Sequence, residues 1–163
     1  MKKIFLFLLI ILPACLILVL YFLDKDYFIS PIDYKGGIFV RCDSRGDGFF
    51  GSPRSGNRLH EGIDLFAQMG TPVLAVRSGK VVVSKEQHKG MGNYVVIRHP
   101  GNLVTIYGHL SKVYVRRGNF VRQGEAIGEV GKTGNANYRD IQPHLHFEVR
   151  EAGIPNDPLE YLQ

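Results

Sequence analysis

The sequence predicts a mainly β protein, a compact barrel-sandwich hybrid of antiparallel strands preceded by one N-terminal transmembrane helix. Three observations predict it. Short β-branched runs alternate with glycine turns over most of the chain, as strands and tight turns do. Beyond the first 23 residues, no window of eleven or more shows helical periodicity. Those first residues form a single apolar block.

That block, "IFLFLLIILPACLILVLYFL" (Ile4 to Leu23), has 20 residues. About 20 residues at 1.5 Å rise cross a hydrocarbon core of roughly 30 Å. Lys2 and Lys3 precede it, and Asp24, Lys25 and Asp26 come directly after it. The positive-inside rule therefore places the N-terminus in the cytoplasm and the remaining chain on the periplasmic or extracellular side. A cleaved signal would have a shorter apolar region and a small-residue cleavage site, and "LDKDYF" offers none. "LPAC" (Leu12 to Cys15) resembles a lipobox, yet eight apolar residues follow Cys15 where a lipoprotein would start a polar tether. Residues 1–23 are read as a retained single-pass anchor in the cell membrane, and each alternative also exports the rest of the chain.

Residues 24–40 read as a linker and first strand, punctuated by Pro31 and the Gly36-Gly37 pair. Residues 41–163 form one domain, long enough for a sizeable core. Two of the five net positive charges sit on Lys2 and Lys3, so the exported part carries only +3. That suits an acidic surface or polymer. No basic run is interleaved with aromatics, which excludes a nucleic-acid reading. Cys42 is the single exported cysteine, so no internal disulfide forms, and it reads as a small buried hydrophobe. Nothing specifies an oligomer, and a monomer is the default.

The clear strands, in order, are "TPVLAV", "GKVVVS", "NYVVIRH", "LVTIYGHL" and "HLHFEVR", with a helical turn at "NDPLEYL". "VYVRRGNFVRQGEAIGEVGKTG" (Val113 to Gly134) has the turn rhythm of biotin- and lipoyl-carrier domains. Neither Lys80 nor Lys132 has the hairpin setting of a modified lysine, so the rhythm speaks only for a barrel-like sandwich.

Histidines carry the chemistry. His88 lies in a charged turn and His99 precedes a Pro-Gly turn, so both read as surface residues. The other four come with partners. His60 and Asp64 stand four apart in "RLHEGIDLF", where Gly62 and Ile63 favour an extended segment that points both the same way. His109 comes after a glycine just beyond a strand. In "QPHLHFEVR", period-two alternation puts His144, His146 and Glu148 on one face and Leu145, Phe147 and Val149 on the other.

Catalytic zinc sites take three N, O or S protein ligands and leave the fourth position to water, whose pKa the ion lowers to about 7. Five groups thus divide into three ligands and two acid–base or electrostatic helpers. Spacing alone leaves open which of His144 and His146 would bind the ion.

Four motifs in order, "HEGIDLFAQMGTPVLAVRSGKVV", "GNYVVIRHPGNLVTIYGHLS", "VRQGEAIGEVGKTG" and "PHLHFEV", resemble the lysostaphin-type (LytM-domain) zinc metallo-endopeptidases. The likeness covers roughly residues 50–162. It implies a zinc enzyme that cuts peptide cross-links of bacterial peptidoglycan. By position it implies one Zn²⁺ held by His60, Asp64 and His146, with His109 and His144 as the catalytic helpers. One visible departure is "NANYRDIQ" (Asn135 to Gln142), where the family segment is usually very short. It is expected to border the cleft. A non-catalytic peptidoglycan-binding or hydrolase-activating member of the family is the alternative, but such members lose zinc ligands and all five residues are present. A zinc carboxypeptidase trimming D-Ala-D-Ala ends would need an acidic base just before its last ligand, where Gln142 and Pro143 precede the histidine pair.

Overall fold

A computed structural model describes residues 27–162. The proposed anchor and Cys15 lie outside the described residues. Among the described residues, no helix is long and apolar enough to cross a membrane.

Fourteen strands occur in chain order: β1 (Cys42–Asp43), β2 (Gly46–Asp47), β3 (Pro53–Arg54), β4 (Arg58–Leu59), β5 (Ile63–Phe66), β6 (Pro72–Leu74) and β7 (Gly79–Lys85), then β8 (Asn93–Arg98), β9 (Leu103–Leu110), β10 (Lys112–Val113), β11 (Phe120–Val121), β12 (Ala126–Glu129), β13 (His144–Glu151) and β14 (Ile154–Asn156). Among the described residues the helical content is two short 3-10 turns, Gly134–Ala136 and Pro158–Glu160. The second is the turn expected at "NDPLEYL". Asp157 caps it by accepting from the Leu159 N–H at 3.0 Å.

Every strand pairing is antiparallel. The main sheet runs β11–β7–β8–β9–β13–β14, and β5 joins β13 on the same edge as β14. A smaller sheet runs β10–β12–β6. Both sheets feed one apolar cluster that includes Val73, Val81, Ile97, Tyr107, Ile127 and Phe147. The fold is thus mainly β as expected, but the barrel does not close. Its outer strands β11 and β14 have only two and three residues and end in turns, so the main sheet stays open.

Among the described residues 27–40, no strand forms. Between 27 and 40 the chain makes two isolated bridges, Phe28 to Leu162 and Val40 to Leu65. Pro31 cannot donate to a ladder, and its carbonyl instead accepts from Leu74 N–H at 2.9 Å. Phe28 and Ile32 are buried in the core, so this segment packs as an irregular strap.

β13 is the central element, and its period-two reading holds. Leu145, Phe147 and Val149 are fully buried in the apolar cluster. Each such burial stabilises by about 1.5–3 kcal/mol. That anchors the strand and fixes its other face, where His144, His146 and Glu148 lie.

Two residues differ from expectation. Cys42 is exposed, and its thiol meets Asp47 Oδ1 at 2.9 Å on a two-residue strand with no core beneath it. His99 is buried rather than on the surface. Its Nδ1–H donates to Ser78 O at 2.9 Å and its Nε2 meets the Thr105 hydroxyl at 2.7 Å. Gly79 makes the room, since a Cβ there would stand 2.8 Å from His99 Nδ1.

Candidate metal centre

The ladder sets the first two positions. His146 stands opposite Asp64 in β5 on one side and Gly108 in β9 on the other. His60 lies just before β5, and Gly62 lets this approach cross close to β13. A Cβ on Gly62 would fall 2.3 Å from Phe147 O.

Three buried ligand atoms result: His60 Nε2, Asp64 Oδ1 and His146 Nδ1. They stand 3.0 Å (His60 to His146), 3.2 Å (His60 to Asp64) and 2.9 Å (His146 to Asp64) apart. Tetrahedral ligands about 2.0–2.1 Å from zinc are about 3.3–3.4 Å from one another. The triangle fits such an ion, and two imidazoles with one carboxylate are a donor set zinc accepts.

Each corner is fixed from behind. The His60 Nδ1–H donates to Phe49 O at 2.9 Å, which leaves the Nε2 lone pair facing inward. His146 Nε2–H donates to Glu148 Oε1 at 3.0 Å, and Arg150 Nε holds the other oxygen of Glu148 at 2.7 Å. Asp64 Oδ2 accepts from Arg41 Nη2 at 3.0 Å and Arg54 Nη2 at 3.2 Å, so only Oδ1 faces the imidazoles. Burial would raise the Asp64 carboxyl, but the close contacts with His146 and His60 hold it well below the usual carboxylate range. Burial likewise opposes charge on His146, yet its bonds to Asp64 and Glu148 push it up to about 9 in the metal-free protein.

His109 and His144 form a second pair, with ring centroids 5.0 Å apart. The His109 ring is 5.7 Å from that of His146. His109 has φ +62°, a left-handed conformation that costs a non-glycine residue of order 1–3 kcal/mol. Its N–H is held by Met91 O at 2.8 Å. The Nδ1–H groups of both rings point at carbonyls, Thr133 O at 2.8 Å for His109 and Gln142 O at 2.7 Å for His144. Carbonyls only accept, so each ring keeps a free lone pair on Nε2. Burial, and then the neighbouring histidines, press His109 down to about 3. Burial also lowers His144. Both rings are neutral at pH 7, with the Nε2 lone pair unprotonated.

All five residues singled out in the sequence meet in this one cluster, whereas His88 is exposed and plays no part in it. Glu148, Arg41 and Arg54 were not foreseen as site residues. Glu148 had a signal, since it shares the face of the two histidines two residues on. The arginines had none.

Three buried donors that could hold a metal ion thus stand beside a second pair of imidazoles, on a mainly antiparallel β frame. The chain belongs to Peptidase family M23, which matches residues 58–158 and so takes in all five residues. Over 102 residues it is 48% identical to the DD-carboxypeptidase/endopeptidase Mpg of Neisseria meningitidis serogroup B, covering 63% of this chain and 22% of that protein. Over 108 residues it is 42% identical to a lipoprotein NlpD/LppB homolog of Pseudomonas aeruginosa, covering 66% of this chain and 35% of that protein. The chain thus spans about a third or less of these curated relatives. Among solved structures, the catalytic domain of the antimicrobial peptidase lysostaphin from Staphylococcus simulans superposes with a TM-score of 0.61 at 33% identity, covering 73% of this chain and 91% of that one. The resemblance seen in the motifs is a true family relationship.

Proposed function

We propose that this chain is a zinc-dependent endopeptidase that hydrolyses peptide cross-links or stem peptides of bacterial peptidoglycan, with residues 41–163 as the peptidase domain. The observation that carries the proposal is the 2.9–3.2 Å triangle of buried donors beside two neutral imidazoles.

In this reading His60 Nε2, Asp64 Oδ1 and His146 Nδ1 are the ligands of one Zn²⁺. When bound, the ion supplies a Lewis acid that polarises a scissile carbonyl and makes water acidic enough to attack near neutral pH. His109 and His144 do the proton work through Nε2, taking the proton of the attacking water and passing it to the leaving amine. Their carbonyl partners hold both rings in the tautomer this requires. Protonated, the same rings donate to the developing oxyanion. The weak net positive charge favours an acidic wall polymer.

The apolar run Ile4–Leu23 serves here as the single-pass anchor that holds a monomeric domain against the wall from the outer side of the membrane.

The test is mass spectrometry of products released from purified cross-linked peptidoglycan by the full chain in detergent with one equivalent of zinc. Cleavage that a chelator abolishes is the expected result, and product masses name the bond. Intact cross-links in the presence of demonstrably bound zinc would turn the reading to the binding or hydrolase-activating module.

A further inference from the structure

The segment 135–142 and the hairpin β1–β2 are joined. Arg45 Nε and Nη2 grip Asp140 at 2.6 and 3.0 Å, and the Arg45 guanidinium lies 5.0 Å from the Tyr138 ring centre. Deeper in, the Gln142 N–H donates to Asp43 Oδ2 at 3.0 Å. The other Asp43 oxygen takes Arg41 Nη1 at 2.5 Å, and Arg41 Nη2 reaches Asp64 at 3.0 Å. The same Gln142 residue accepts His144 Nδ1–H through its carbonyl. A closed circuit therefore runs Asp64–Arg41–Asp43–Gln142–His144, and it returns across the site, where His144 Nε2 lies 3.9 Å from Asp64 Oδ1.

Arg41 and Asp43 both lie before the segment matched by the family, residues 58–158. Arg41 is buried, and its Nε is the one buried side-chain donor among the described residues without a partner. Its two terminal nitrogens are both spent on carboxylates, Asp43 and Asp64.

We propose that Arg41 and Asp43 are positioning residues that tie the metal-facing carboxylate of Asp64 and the imidazole of His144 to one residue's backbone, that of Gln142. The end of the "NANYRDIQ" segment is then part of the site's frame. This inference rests on the metal-centre reading above. Asp43 sets how the Asp64 carboxylate is turned, through Arg41, and where the His144 ring stands, through Gln142.

The experiment uses the full chain in detergent and two readouts: zinc affinity by competition with a chromophoric chelator, and the His144 Nδ1–H proton resonance by NMR. Asp43→Ala is expected to weaken zinc about 10-fold, the lower end of the range for outer-sphere partners, and to abolish the His144 resonance. Asp43→Asn keeps a carbonyl for Gln142 but turns an amide toward Arg41. It should weaken zinc and keep the resonance. Arg41→Lys should behave like Asp43→Asn, because one ammonium cannot fork between two carboxylates. Arg45→Ala, which breaks the exposed Asp140 pair and the Tyr138 contact but no link of the circuit, should leave both readouts within two-fold.

Zinc affinity within two-fold of the parent and an unchanged resonance in both Asp43 variants would overturn the proposal. So would an Arg45→Ala effect equal to that of Asp43→Ala. If Asp43→Ala does not fold, the isosteric Asp43→Asn carries the test. Failure of the parent chain to bind zinc would sink the metal-centre reading instead, and the resonance, observable without metal, would still decide the circuit.

Discussion

β13 and the stretch 41–60 both build the site, in opposite ways. β13 delivers His144, His146 and Glu148 by regular alternation, locked by ladders to β5 and β9 and by three fully buried apolar side chains. The stretch 41–60 holds four two-residue strands and delivers Arg41, Asp43, Arg54 and His60 from these short strands and the residues beside them. In the first, backbone pairing determines where side chains point. In the second, ion pairs and side chain-to-carbonyl bonds do. The ladder thus brings Asp64 and His146 together, and the 41–60 stretch adds His60 and fixes how the carboxylate is held.

The sharpest break comes from the atoms the ladder brings together. His146→Ala and Asp64→Ala should each lose zinc and activity together. Asp64→Ala also leaves Arg41 and His146 without their shared carboxylate, which should cost about 3–5 kcal/mol of stability in thermal unfolding. Next is the proton-accepting pair. His144→Ala should cut turnover by about 10²–10⁴-fold with zinc retained, measured as turnover and metal content on the same sample.

Glu148→Gln tests support from behind on the ladder side. Its carbonyl can still accept from His146, so zinc affinity should fall by about 10–100-fold without loss of fold. Gly62→Ala tests the crossing itself. Its Cβ would meet Phe147 O at 2.3 Å, and a shift of the crossing segment should cost about 1–3 kcal/mol in denaturant unfolding.

The smallest effect is on protons. With His146 raised from 6.5 to about 9 in the metal-free protein, its contribution to stability is complete below about pH 6.5 and is lost as pH rises through about 9. Zinc needs the Nδ1 lone pair. Loading at pH 7.5 should therefore release about one proton, seen as a dependence of the titration heat on buffer ionisation enthalpy.

The same contrast explains what was legible in the sequence. The alternation of "HLHFEV" is written in consecutive residues, so the strand, its two faces and its histidines could be read directly. His60 and Asp64 were legible because they are four apart in one segment. Arg41 and Arg54 lie 23 and 10 residues from Asp64, and no local pattern connects them. His99 looked like a turn residue because the room for its ring comes from Gly79, twenty positions earlier. Cys42 looked buried by type, but a two-residue strand offers nothing to bury it against. The open sheet was missed because turn rhythm records how short strands are, not whether the last one finds a partner.

The central claim is one partition, His60, Asp64 and His146 as ligands and His109 and His144 as helpers. The most direct test is the metal content of the full chain and of its His144→Ala and His146→Ala variants after zinc loading and desalting. The account predicts one zinc per chain in the parent and in His144→Ala, and none in His146→Ala. Zinc lost from His144→Ala, or kept by His146→Ala, would contradict it.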